Sequence, residues 1–259
     1  MSGPVDSRPE PPGWAGCRVV AHRGACRRAP ENTLAAFSAA LELGAQAIEL
    51  DVQRTRDGEL VVIHDETVDR TTDGSGPVRE LSLAEIRSLD AGSWFRPAFA
   101  GERVPTLSEV IRTVRGKACL NVEIKGGPNP GVAPDDDIAG QVLELLRAED
   151  FLGQVLISSF NHEILARVRA LDAAVPIAVL YLRHHSHALE VAARVGAQAL
   201  HPFFASVTPG MVRAAHRRGL RVNPWTVDSP WVGRLLFSFG ADAIITNQPS
   251  VLALAGRRT

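Results

Sequence analysis

Two histidines, three acids and one arginine stand at or just beyond the ends of apolar runs early in the chain: His22, Arg23, Glu31, Glu49, Asp51 and His64. Runs such as RVVAH (18–22) and AQAIELDV (45–52) read as buried strands. Glu49 and Asp51 are two apart, so on a strand both side chains point to one face. Two carboxylates side by side repel, and the cost is relieved by a cation between them. Glu123 and Lys125 end a similar run, ACLNVEIK (118–125). Three carboxylates on neighbouring strands make an all-oxygen donor set that suits Mg²⁺ or Ca²⁺ rather than zinc. Arg23 and Lys125 beside them favour an anionic substrate, and phosphate fits. Hydrolysis of a phosphodiester needs a base for the nucleophile and an acid for the leaving alkoxide. Histidine can do either near neutral pH, each proton transfer contributing about a hundred- to ten-thousandfold.

The elements that must position these residues alternate along the chain. After RVVAH, Asn32 has the type of an N-cap, and Leu34, Phe37 and Leu41 follow at helical spacing until Gly44. Asp57-Gly58 signals a turn, with LVVIH (60–64) returning as a hairpin partner. Residues 52–106 read as a turn-rich insertion with little core of its own and one short helix near Ser82–Leu89. Beyond a helix over 107–115, strands are expected at 118–125, 154–160, 176–181, 197–202, 220–227 and 241–247. Helices should follow, capped by Asp135–Asp137, from Asn161, and over 186–195, 208–218, 229–238 and 249–255. With the insertion set aside, eight strands alternate with eight helices, the count of a (β/α)₈ TIM barrel. A doubly wound sheet is the runner-up, but no G-x-G-x-x-G follows the first strand. In a barrel the strand ends meet at one mouth. Tyr181, His201, Trp225 and Thr246-Asn247 then join the list of groups that could line it.

The totals are those of an ordinary globular protein: 259 residues, 45% hydrophobic and 22% charged. A net charge of −1 gives no electrostatic case for nucleic acid or anionic membrane as a general partner. Three cysteines, Cys17, Cys26 and Cys119, match neither a disulfide framework nor zinc spacing. Residues 1–17 read as a loosely ordered tail without a secretory signal, and 18–256 as one catalytic barrel. No run is long enough to span a membrane, and a cytosolic protein is expected.

Seven short motifs carry a resemblance: HRG at 22–24, PENT at 30–33, ELD at 49–51, HD at 64–65, EIK at 123–125, WTV at 225–227 and TNQP at 246–249. In this order and at these strand ends the chain resembles the glycerophosphodiester phosphodiesterase family, from Arg18 to Pro249. The resemblance implies a TIM barrel with a small insertion after the second strand. It implies cleavage of a glycerophosphodiester to glycerol 3-phosphate and an alcohol, dependent on one divalent cation. Carried over, Glu49, Asp51 and Glu123 are the metal ligands, His22 and His64 the acid–base pair, and Arg23 and Lys125 the phosphate holders. Trp225 becomes an apolar wall for the substrate. Glu31, Asn32 and Asp65 support from behind, Glu31 by binding His22 or Arg23 or backing the metal site, and Asp65 by holding His64 or shaping its turn. In the family's mechanism the glycerol 2-hydroxyl attacks phosphorus and water opens the cyclic phosphate; His64 is favoured as first base and His22 as acid.

Two rivals share these residues. One is lysophospholipase D-like action on a substrate with an acyl chain, and the other a non-catalytic barrel that binds a phosphorylated metabolite. The partner expected is the small-molecule substrate, and self-association as a homodimer is left open. His184, His185 and His187 read as a solvated basic loop, His201 equally as mouth lining or packing, and Trp94 and Phe95 as insertion packing. Arg27 and Arg28 default to solvated surface, and Cys26 to an inert thiol.

Overall fold

The computed structural model describes Trp14, residues 16–126 and residues 137–250. Eight strands run parallel: β1 (Val19–His22), β2 (Ala47–Arg54), β4 (Cys119–Ile124), β5 (Val155–Ser159), β6 (Ile177–Tyr181), β7 (Ala199–Pro202), β8 (Arg221–Val222) and β9 (Ile244–Thr246). Their order is β8-β7-β6-β5-β4-β2-β1-β9, and β3 (Leu60–Val62) pairs with β2 antiparallel. The two ends of this path meet. Backbone N–H groups of Asp242, Ile245 and Val227 donate to the carbonyls of Val222, Pro224 and Ile245, each at 2.9 Å. The TIM barrel is therefore closed, as the alternation requires.

Outside the strands lie α1 (Leu34–Glu42), α3 (Leu107–Val114), α4 (Ile138–Ala148), α5 (His162–Leu171), α6 (His185–Val195), α7 (Pro209–His216) and α8 (Pro230–Phe239), with α2 (Leu83–Ser88) in the excursion after β3. Their apolar faces and the outward residues of the strands form the main core, which includes Phe37, Ile48, Leu50, Leu120 and Leu143. Inward residues alternate with these. Val20, Ala47, Cys119, Leu156, Ala178, Ala199, Ala243 and Ile245 pack together at the bottom of the barrel, with Trp14 and Cys17. Of the tail expected over 1–17, then, Trp14 and Cys17 are buried under the barrel, and residues 1–13 and 15 lie outside the described residues. The expected helix over 249–255 lies outside them from 251 on, as do Asp135 and Asp136; Asp137 caps α4 by accepting from Gly140 N at 3.0 Å.

Three expectations change. The excursion between β2 and α3 has a small core of its own, built on Val61, Ile63, Val68, Val78, Ile86, Ala91 and Val104. β8 is far shorter than 220–227, because Pro224 has no N–H for the ladder; Asn223 N and Trp225 N still bond to Leu200 O and Pro202 O. The N-cap of α1 is Thr33, whose hydroxyl accepts from Ala36 N, and not Asn32. Asn32 sits at φ +58°, a left-handed step that Asn tolerates and β-branched Thr does not. Among the described residues no helix is long and apolar enough to cross a membrane.

Candidate active site

Strand register alone assembles the acids. β1 pairs with β2 so that His22 stands opposite Glu49, and β2 pairs with β4 so that Asp51 stands opposite Glu123. All three carboxylates are buried, and one oxygen from each lies within 4.8 Å of the others. Oxygens held around one hard cation at roughly 2.0–2.6 Å are separated by no more than roughly 5 Å, so the spacing fits a single ion. Lys125 Nζ is 2.9 Å from Asp51 Oδ1 and Arg23 Nε 3.1 Å from Asp51 Oδ2. Yet Asp51 Oδ1 accepts no well-directed hydrogen bond, although its residue is fully buried. Three buried carboxylates converging on one point, one of them with an oxygen that has only the Lys125 ion pair, make a ligand set, and these residues fit Mg²⁺ or Ca²⁺.

Electrostatics agree. Burial, then repulsion from Asp51 and Glu123, holds Glu49 well above the usual carboxylate range. Burial and Asp51 push Glu123 up to about 7 against the pull of Lys125. Burial would raise Asp51 too, but Lys125 and Arg23 overcome it and hold that carboxyl ionised. The described chain thus carries three acids that its own two cations do not neutralise.

The turn after β1 is shaped to feed this cluster. Arg23 and Gly24 take φ of +53° and +81°, which aims Arg23 N at Glu49 Oε2, 3.0 Å away. A Cβ on Gly24 would sit 2.6 Å from the Ala36 carbonyl carbon, so only glycine lets the turn close on α1. Asn32, freed from capping, donates from Nδ2 to Asp51 Oδ2 at 2.8 Å.

Each histidine is held through Nδ1 and leaves Nε2 to the mouth. His22 Nδ1 donates to Asn247 Oδ1 at 2.7 Å, and its Nε2 is 3.9 Å from Glu49 Oε2. Asp228 fixes that amide: Asn247 Nδ2 and N donate to its two oxygens at 2.8 and 2.9 Å. Burial, helped by Arg23, pushes His22 down to about 4. His64 Nδ1 donates to Asp65 Oδ1 at 2.6 Å, and burial lowers this ring too. Gln53 secures the His64 turn by donating to the carbonyls of Ile63, His64 and Asp65.

Asp65 thus contacts His64, and Glu31 contacts Arg23, with Arg23 Nη1 donating to Glu31 Oε1 at 2.7 Å. Trp225 lies on the opposite side of the mouth, donating to His201 O and meeting Phe160 and Phe203 edge-on at 5.4 and 5.8 Å. His201 does not line the mouth. It is buried below it, accepts from Asn223 Nδ2 at 3.1 Å, and is pushed down to about 3 by burial.

The histidine run is less solvated than its composition suggests. His185 accepts from Tyr181 Oη and donates to Ser206 O, tying α6 to the loop after β7. Among the described residues the acidic triad is the one group with metal-ligand spacing. Arg27 pairs with Asp228 at 3.1 Å, and Arg28 is exposed. The Cys26 thiol donates to Asn247 Oδ1 at 2.9 Å, and burial pushes it up to about 12, which leaves it inert. Asp228, Gln53 and Arg70 were missed as site residues, and Asn247 was expected only as a group that could line the mouth. Asn247 had a signal in its motif at a strand end, whereas Arg70 sits in a stretch without periodicity.

A closed barrel with a buried carboxylate triad, two imidazoles and two cations at its C-terminal mouth is built for an anionic substrate. The model of the glycerophosphoryl diester phosphodiesterase family matches residues 22–251. A glycerophosphodiester phosphodiesterase of Caldanaerobacter subterraneus subsp. tengcongensis is 44% identical over 235 residues, 90% of this chain and 95% of that protein. One from Bacillus subtilis is 35% identical over 90% of this chain and 84% of its own. Among solved structures, an Oleispira antarctica phosphodiesterase in complex with the product sn-glycerol-3-phosphate superposes with a TM-score of 0.85 at 30% identity, over 92% of this chain and 96% of that one. The chain belongs to the glycerophosphoryl diester phosphodiesterase family, and it is a phosphoric diester hydrolase.

Proposed function

We propose that the protein hydrolyses glycerophosphodiesters to glycerol 3-phosphate and an alcohol, with Glu49, Asp51 and Glu123 holding one divalent cation and His22 and His64 moving the protons. The observation that carries this reading is the convergence of three buried carboxylates within 4.8 Å, beside two imidazoles whose Nε2 atoms are left to the mouth. When bound, the cation supplies Lewis acidity, offsetting charge on the phosphoryl oxygens. Arg23 and Lys125 hold the phosphate, and Trp225 walls the far side.

His64 Nε2 takes the proton of the glycerol 2-hydroxyl as that oxygen bonds to phosphorus. Asp65 behind the ring stabilises the imidazolium that results. His22 gives its proton to the departing alkoxide as the P–O bond to the alcohol breaks. A neutral amide, Asn247, backs His22, so its imidazolium releases a proton readily. The arriving diester's negative charge favours the protonated form that burial otherwise suppresses. Water then opens the cyclic phosphate at the 2-oxygen with the roles reversed.

A substrate with an acyl chain has an observation in its favour. Phe160 and Leu182, at the ends of β5 and β6, are 43% and 56% exposed on the side of the barrel that carries Trp225. Glycerol 3-phosphate release from glycerophosphocholine, glycerophosphoethanolamine and glycerophosphoglycerol tests the function, with lysophosphatidylcholine as the acylated competitor. Turnover should vanish with EDTA, return with Mg²⁺ or Ca²⁺, and be lost in H64A. Activity indifferent to chelator removes the cation from the proposal, and preference for lysophosphatidylcholine selects the acylated class.

A further inference from the structure

Arg70 lies between β3 and α3, in a stretch that no motif marks, and its guanidinium bridges two carboxylates from distant pieces of chain. Nε and Nη2 donate to Asp65 Oδ2 and Oδ1 at 2.6 and 3.1 Å. Nη1 and Nη2 donate to Glu31 Oε2 and Oε1 at 3.0 and 2.8 Å. Each carboxylate in turn holds one working group: Asp65 Oδ1 takes the His64 Nδ1 proton at 2.6 Å, and Glu31 Oε1 takes Arg23 Nη1 at 2.7 Å. One planar fork thus sets the distance between the carboxylate that orients a histidine and the carboxylate that orients an arginine. Its side chain is 44% exposed, where ion pairs contribute little to stability, so the four directed bonds call for a geometric reason.

We propose that Arg70 is a positioning residue for the reaction described above, holding Asp65 and Glu31 so that His64 faces the glycerol hydroxyl and Arg23 the phosphate. The proposal rests on that functional reading. It extends the share of the active site carried by the excursion after β3 from His64 and Asp65 to Arg70, and it divides Arg70's effect into two arms. The Asp65 arm governs proton transfer and therefore kcat. The Glu31 arm governs phosphate binding and therefore KM.

Steady-state kinetics with glycerophosphocholine on R70A, R70K, D65N, E31Q and the two double variants test it, together with the ¹⁵N–¹H signal of His64 Nδ1–H, assigned by its loss in H64Q. R70A should lose about ten- to a hundredfold in kcat/KM, as supporting hydrogen-bond partners of active-site ligands commonly do. In the D65N background R70A should change KM alone, and in E31Q it should change kcat alone. R70K keeps the charge but not the fork, so it should recover only part of the loss, and the His64 signal should move in R70A. Fold losses that simply multiply in both double variants overturn the proposal, as does R70K with wild-type constants or an unmoved His64 signal. Should R70A fold poorly, R70K and the His64 signal carry the test. A wild-type protein that hydrolyses none of the glycerophosphodiesters overturns the functional reading instead, while the His64 signal still decides whether Arg70 holds that ring.

Discussion

His22 and His64 face the same carboxylates but are backed differently, one by an amide and the other by a carboxylate. That difference predicts their roles. If His22 is the acid, its loss should matter little when the leaving group needs no proton. H22A should fall at least a hundredfold on glycerophosphocholine, within the range of one lost acid, and far less on a p-nitrophenyl glycerophosphodiester, whereas H64A should fall on both. Equal losses on both substrates for H22A would reverse the assignment. Cation binding should also depend on pH. Glu123, pushed up to about 7, and Glu49, held well above its usual range, carry protons that a cation must displace. Their raised values mean that these two carboxyls bind more protons in the folded protein than in the unfolded one, so without a cation their own contribution to stability falls as pH rises from about 4.5 towards 7, against the opposite contribution of the lowered His22 and His201. Titration calorimetry in two buffers should find Mg²⁺ or Ca²⁺ binding tighter at pH 8 than at pH 6, with proton release at the lower pH. Affinity flat across that range would contradict it.

Among the elements, the β1–α1 connection and the β2–β3 hairpin do the positioning. Arg23 N, Asn32 and the α1 cap are all set by a turn that only Gly24 permits. G24A puts a methyl 2.6 Å from Ala36 and imposes a left-handed backbone costing about 1–2 kcal/mol before the clash is counted. The unfolding midpoint should drop, and kcat should drop further than dilution by unfolded protein explains, because Glu49 loses the Arg23 N–H. Activity per folded molecule equal to wild type would show that this turn serves stability alone. On the hairpin, Gln53 draws three carbonyls together and so delivers His64 to the mouth from a segment outside the barrel ladder.

Across the whole molecule, the barrel is divided into layers. Its bottom is apolar and closed by Trp14, its middle holds buried polar groups such as Asn121, Ser158 and His201, and its top carries the site. The halves of the mouth differ as well, charged over β1, β2 and β4 and aromatic over β5 to β8. Because the plug lies at the opposite end of the barrel from the catalytic groups, W14A should separate stability from function. A loss of about 3–5 kcal/mol is expected in denaturant unfolding, as for large aromatic deletions from a core, with kcat unchanged at temperatures where the variant remains folded. A matched fall in kcat would mean that the bottom layer sets the geometry of the top one.

The barrel was legible in the sequence because alternating valine- and isoleucine-rich runs and amphipathic stretches have strong local periods. The acids were legible because two carboxylates two apart on a buried strand, as at Glu49 and Asp51, are too costly without a partner. Local chemistry could not choose between Asn32 and Thr33 as cap, since both types do it; the left-handed step chose. Nor could it foresee that Pro224 ends the β8 ladder early while the barrel still closes, or that Arg70 and Asp228 reach the histidines' partners. Those contacts join residues whose spacing carries no period, and only register and closure bring them within hydrogen-bond reach. The sequence by itself determined which groups were available and on which strands they ride. Tertiary structure alone decided which nitrogen of each imidazole is held and which is left to the substrate, because that depends on partners 225 residues away for His22 and one residue away for His64.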